Sequence, residues 1–267
     1  MVVDRSGHPV RTIAANRPWT PRFSPDGRSV AYGAFGSGRG TSDLWVTDLD
    51  AGTTRRLTDD DDDSNDPQWS AEGTTIVYSK DDGNGKDVFM RPLGAGDPRL
   101  LAERPGTQFP SDWLRDGSAL LVTTESGGKH DIIVQPADGS PAFPYAATAA
   151  DEIGARISPD ERWVAYTSDE SGRSEVYLDT YPHPGRRVMV SSNGGAFPVW
   201  RGDGRELYYW TGDKLVAVSV DAARNDRTPA LGAPTVLFGA PYFAGPNTMY
   251  DVSPDGKRFV IVLSSGK

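Results

Sequence analysis

A strand-turn-strand unit returns six times along the 267-residue chain, and this repetition limits the fold more than any other feature. The first copy runs through Pro21-Arg22-Phe23-Ser24-Pro25-Asp26-Gly27 into the apolar Ser29-Val30-Ala31-Tyr32. Asp43-Leu44-Trp45-Val46-Thr47 and Thr54-Arg55-Arg56-Leu57-Thr58 follow it. Each segment is short and rich in β-branched or aromatic residues, so one unit reads as four strands. The acidic turn residues Asp26, Glu72, Asp116, Asp160, Asp203 and Asp255 stand 46, 44, 44, 43 and 52 residues apart. Such spacing fits a four-stranded propeller blade and fits neither an α-solenoid repeat nor a βαβ unit.

The sixth unit supplies only two strand segments up to Lys267, around Val252-Ser253-Pro254-Asp255-Gly256 and Phe259-Val260-Ile261-Val262. Its missing half is predicted at the other end, with Met1-Val2-Val3-Asp4 as third strand and Pro9-Val10-Arg11-Thr12-Ile13 as fourth. The expectation is an all-β, six-bladed β-propeller with four-stranded blades, one domain over residues 1–267, closed by N- and C-terminal strands sharing a blade. Closure protects a ring from opening at an exposed strand edge.

In the Pro-Asp-Gly turns, Pro presets φ, Asp bonds nearby backbone and Gly accepts a positive φ. The six acidic markers are therefore read as structural. The acids that open third strands, Asp43, Asp87, Asp131 and Glu175, recur with the blades and are read in the same way.

Phe23-Ser24-Pro25-Asp26-Gly27 and Val252-Ser253-Pro254-Asp255-Gly256 resemble the TolB-like, or Trp-Asp-like, bacterial propeller repeat family. Tyr250-Asp251-Val252-Ser253-Pro254-Asp255-Gly256 also looks like the last repeat of propellers attached to bacterial serine/threonine kinases. The resemblance implies a rigid ring whose loops hold a peptide or protein, without naming that partner. Related propellers accompany peptidases, but the chain shows no nucleophile-elbow sequence.

There are 37 acidic and 28 basic residues, a formal charge of -9, so long-range electrostatics oppose a nucleic-acid partner. Without cysteine there is neither a disulfide framework nor a thiolate metal site. No apolar run approaches the roughly 20 residues of a membrane-spanning helix, so no membrane insertion by this chain is expected. The opening residues lack a secretory-signal pattern. An extracytoplasmic setting remains open for a ring excised from a longer secreted or membrane protein.

In a propeller, blade-to-blade connections and second-to-third-strand loops meet around one channel mouth. The partner-binding candidates there are Trp19, Arg39, Lys86, Phe109, His130, Arg173, Tyr242 and Phe243, aromatic anchors mixed with cations suited to an acidic peptide. Asp59, Asp60, Asp61 and Asp62 form an acidic run that offers oxygen ligands to calcium, with Asp66 nearby, although the alternating pattern of an EF-hand is missing. His8, His130 and His183 fall in different units and form no metal motif. Gly33 to Gly40 is glycine-rich but lacks the Lys-Ser/Thr of a phosphate loop, and Arg201-Gly202-Asp203 sits in a recurring turn. These features favour a noncatalytic peptide or protein interaction module within a larger bacterial signalling protein. A propeller hydrolase or lyase, joining His130 to Asp151 or Glu152, and a structural spacer are the alternatives.

Overall fold

The computed structural model describes residues 1–36, 40–81, 83, 85–221, 228–241 and 247–264. These form six antiparallel sheets, each following the predicted strand-turn-strand pattern. From the axis outward, blade 1 occupies 19–56, blade 2 63–102, blade 3 107–146, blade 4 152–189 and blade 5 196–239. Blade 6 combines Tyr250–Val252 and Arg258–Ile261 with Val2–Asp4 and Pro9–Arg11, as the sequence predicts. Val2, Val3 and Asp4 pair with Val260, Phe259 and Arg258, and the Met1 ammonium donates to the Ile261 carbonyl at 2.8 Å. Blade 5 departs from the four-strand plan. Both Ala230–Leu231 and Thr235–Gly239 pair with Lys214–Asp221, which accounts for the longest interval between turn markers.

The second strands are nearly continuous apolar runs because both faces of a blade are covered. In Ser29–Phe35, Val30 and Tyr32 pack toward blade 6, while Ala31 faces blade 2. In Thr75–Asp81, Ile76 and Tyr78 face blade 1, while Val77 faces blade 3. Strand alternation thus distributes one chain's apolar residues between two blade interfaces. The six hydrophobic clusters each lie between adjacent blades. No helix among the described residues is long and apolar enough to cross a membrane.

Bulges interrupt the inner strands just before the channel. Thr20, Asp66, Gly154 and Phe197 occupy equivalent bulge positions with φ of 40°, 55°, 65° and 57°. Two residues after these four positions come Arg22, Gln68, Arg156 and Val199, shifted from plain strand alternation, and Asp112 and Asp251 hold the matching place in blades 3 and 6, four residues before the turn marker. Bulges re-aim side chains in this manner. Gln68 Oε1 accepts from Arg22 Nε at 3.3 Å and from Arg156 Nη1 at 2.9 Å, so a belt of polar groups crosses the channel. Asp251 Oδ2 accepts the Phe23 N–H at 2.7 Å, and Asp112 Oδ2 accepts the Ile157 N–H at 2.9 Å. Each carboxylate therefore ties its blade to the next. Trp69 and Trp200 make a second set of ties, donating Nε1 to the carbonyls of Arg22 and Arg156, both at 3.1 Å.

The turns justify the structural reading of the acidic markers. In blade 1 the Ser24 hydroxyl donates to Asp26 at 2.6 Å, Asp26 accepts the Arg28 N–H at 3.0 Å, and Gly27 takes a φ of 69°. Ser158 with Asp160 and Ser253 with Asp255 repeat the side-chain bond at 2.6 Å. The Ser24 hydroxyl holds the Asp26 carboxyl below its ordinary pKa, and Ser118 does the same for Asp116. With a depressed folded pKa, the stabilisation is present above the unfolded value near 4 and is lost as pH falls through the folded value. An Asp26→Asn, Asp116→Asn double variant is expected to be less stable than the parent at neutral pH. That gap should narrow below pH about 4. Urea titrations showing the same gap at both extremes would contradict this account.

Candidate functional site

The upper channel mouth is the face carrying the blade-to-blade connections and second-to-third-strand loops. Asp66, at the blade 2 bulge, organises one side of it. Its Oδ1 accepts from Asn247 Nδ2 at 2.9 Å and its Oδ2 from the Ser79 hydroxyl at 2.6 Å, with Lys86 Nζ 3.7 Å from Oδ2. The same ammonium lies 5.2 Å from the centroid of the Phe109 ring, a cation–π contact between blades 2 and 3. Phe109 and His130 border a depression of about 20 Å³, whose floor includes Arg22 and Arg156. That is room for about one water molecule.

Asp151 Oδ1 accepts the His130 N–H at 2.8 Å and stands 3.3 Å from His130 Nδ1. The contact brings together two groups that a catalytic reading would use. Two of the hydroxyls bordering the same depression engage each other: Ser111 Oγ and Thr123 Oγ1 are 2.9 Å apart. Glu152 is fully buried and accepts from Thr148, and burial raises its pKa against those hydrogen bonds. Its carboxylate is thereby committed to its own loop.

The structure thus joins three of the sequence candidates, Lys86, Phe109 and His130, into an arc and leaves two outside it. Trp19 begins the inner strand of blade 1, where it pairs with Gly33, and does not border the depression. Arg173 lies farther out, with Nε donating to Glu175 Oε1 at 2.6 Å and Nη2 to the Ser192 carbonyl. Arg39, Tyr242 and Phe243 lie outside the described residues. Asn247, which the sequence also places in a channel-mouth loop, joins the arc, as does Asp66, which is not among the sequence candidates for partner binding. In sequence Asp66 reads as a neighbour of the acidic run; its place two residues before Gln68, at the bulge, is the signal that separates it.

The acidic run faces protein cations. Asp60 and Asp62 each lie 2.8 Å from Lys80 Nζ, and Asp59 is 2.7 Å from Arg56 Nη1. Burial opposes charge on Lys80, but its hydrogen bonds to Asp60 and Asp62 prevail and raise its pKa. Asp63 accepts the Ser42 N–H and hydroxyl at 2.6 and 2.8 Å. Among the described residues, no group of three or more His, Cys, Asp or Glu side chains is arranged to hold a metal ion. Arg201-Gly202-Asp203 is fixed within its turn, where Gly202 N–H donates to the Pro254 carbonyl at 3.1 Å.

Fold and mouth together define a repeat-built, six-bladed propeller that presents loops around a belted channel. The chain belongs to the TolB beta propeller family, whose PD40 domain matches residues 1–233. Its structure is similar to TolB from Acinetobacter baumannii, with 15% identity and a TM-score of 0.65 over 92% of this chain and 54% of that one. The chain therefore spans about half the length of that relative. A putative TolB from Agrobacterium tumefaciens is 20% identical with a TM-score of 0.71, covering 93% of this chain and 91% of that one. A puromycin-hydrolyzing peptidase from Mycobacterium tuberculosis is 18% identical with a TM-score of 0.65, covering 91% and 43%. At such identities the likeness concerns the fold. No curated protein matches the chain.

Proposed function

We propose that this chain is a noncatalytic recognition module that binds a peptide or protein segment across its upper channel mouth. The observation carrying the proposal is the arc from Asn247 and Asp66 through Lys86 and Phe109 to His130, which draws groups from blades 2 and 3 and the segment entering blade 6. An aromatic ring capped by a cation and flanked by a histidine offers an anchor already ordered before binding, which limits the entropy lost on association. Membership of the TolB propeller family is consistent with protein binding. An extracytoplasmic setting and attachment to a larger bacterial signalling protein are parts of the same proposal.

The test is affinity capture from an extract of the source cell, comparing the parent with folded Lys86→Ala and Phe109→Ala variants. A selective partner should be recovered about tenfold less well, the loss expected when one anchor worth at least about 1.4 kcal/mol is removed. Equal recovery by parent and variants would move recognition away from this mouth.

A further inference from the structure

The opposite, lower mouth carries a larger cavity than the upper one. Below the belt the channel widens to about 460 Å³, walled by Trp69, Trp113 and Trp200 and rimmed by Pro25, Pro159 and Pro254 from the recurring turns. A groove of about 600 Å³ between blades 1 and 2 shares Pro25 and Trp69 with it. Another of about 210 Å³ between blades 4 and 5 shares Ser158 and Trp200. In a six-bladed ring these two blade boundaries lie opposite one another. The two grooves therefore adjoin the central cavity from opposite sides, an elongated relief across the lower face suited to an extended chain rather than a compact ligand.

Unmet hydrogen-bonding capacity indicates what the central cavity holds. Arg156 lies between the upper depression and this cavity and lines both; it is 7% exposed and donates Nη1 to Gln68, yet its buried Nη2 has no acceptor. An unpaired buried donor is costly, and a native structure retains few of them. Trp113 Nε1 and Arg201 Nε, from two other side chains lining the cavity, also lack a hydrogen-bond acceptor, although Arg201 Nε is 3.5 Å from Asp203 Oδ1. Both carboxylates of the cavity are already engaged: Asp112 by the Trp113 and Ile157 N–H groups at 2.9 Å, and Asp251 by the Phe23 N–H. The missing partner is thus an acceptor.

Three arginines, Arg115, Arg156 and Arg201, line this mouth with two aspartates, and Arg201 is already paired to Glu206 at 3.4 Å and to Asp203 at 3.5 Å, so Arg156 is the central cation that the cavity offers. A singly charged group matches that one guanidinium, whereas a divalent phosphate is repelled more strongly by Asp112 and Asp251 in the same lining. We infer that the lower mouth is a second binding site, distinct from the upper arc, that seats the carboxylate of an extended peptide on Arg156 between tryptophan walls. The carboxylate is either a free C terminus or an acidic side chain. Arginine suits it because its donors match a planar carboxylate.

The test is a titration of the folded protein with N-acetylglycine, observed through its indole N–H resonances by NMR, with Trp69, Trp113 and Trp200 assigned by substitution. Saturable shifts of these resonances are expected, together with little response to N-acetylglycinamide or inorganic phosphate. Arg156→Met should weaken binding about tenfold or more, the loss of a charge-assisted hydrogen bond. Arg201→Gln, which leaves the Gln68 belt intact, should weaken it in the same direction. Phe109→Ala at the upper mouth should leave the titration unchanged, so this proposal and the upper-mouth reading can fail separately. N-acetylglutamate α-amide, which carries only a side-chain carboxylate, separates the two sources: tighter binding of either probe identifies the form recognised. No saturable shift, equal response to the amide or phosphate, or undiminished binding by both arginine variants would overturn the inference.

Discussion

Val3→Asp is expected to remove more than about 4 kcal/mol of stability at neutral pH, enough to abolish the cooperative urea transition of a marginally stable ring. Val3 is fully buried and pairs with Phe259 in the closing blade. Its side chain belongs to the cluster containing Tyr208, Trp210 and Tyr250, where blade 6 packs on blade 5. A carboxylate there would be desolvated beside aromatic rings, and the strand could escape only by leaving the Arg258–Ile261 edge unpaired. Val10→Asp provides the contrast. Val10 is 57% exposed on the outermost strand of the same blade, so its substitution should change stability by no more than about 0.5 kcal/mol. Similar losses in the two variants would mean that closure does not depend on burial at Val3.

The turn chemistry and the closing blade were legible in the sequence because both depend on local signals that repeat. Ser24, Asp26 and Gly27 make their bonds within a few residues, so a motif displays them directly. The channel depends on longer relationships. Arg22, Gln68, Asp112, Arg156, Val199 and Asp251 each stand four residues before an acidic turn marker, an offset visible in the sequence. Their chemical diversity concealed it: a repeated site occupied by arginine, glutamine, aspartate and valine does not look repeated. Their roles arise between blades, as in the bond from Arg156 to Gln68, 88 residues apart. The acidic run was hidden for a similar reason. Asp59 to Asp62 suggest calcium when viewed alone, but Lys80, which meets Asp60 and Asp62, arrives on the next strand. Among the upper-mouth candidates, Lys86, Phe109 and His130 come together because each stands near the start of its strand, in Lys86–Pro92, Thr107–Trp113 and Lys129–Pro136, whereas Arg173 is held by Glu175 and the Ser192 carbonyl.

Asp112→Ala should cost about 2–6 kcal/mol, because the Trp113 and Ile157 N–H groups both lose an acceptor within the ring and each such loss costs about 1–3 kcal/mol. The pH dependence distinguishes this role from simple packing. Burial lifts the pKa of Asp112 against the pull of Arg156, and that of Asp251 against Arg22 and Arg156. A folded pKa above the unfolded one gives a contribution fully present below the unfolded value near 4 and lost as pH rises through the folded value. The parent should therefore lose stability from these sites on going from acid to neutral pH. Asp112→Asn removes one titration while retaining one oxygen acceptor. It should be less stable than the parent near pH 4, and the deficit should shrink as pH rises to about 8. Urea titrations across that range decide the point: a constant deficit would reduce Asp112 to a neutral acceptor, whereas a shrinking one would show that the ring carries the cost of a desolvated charge in order to bind blade 3 to blade 4.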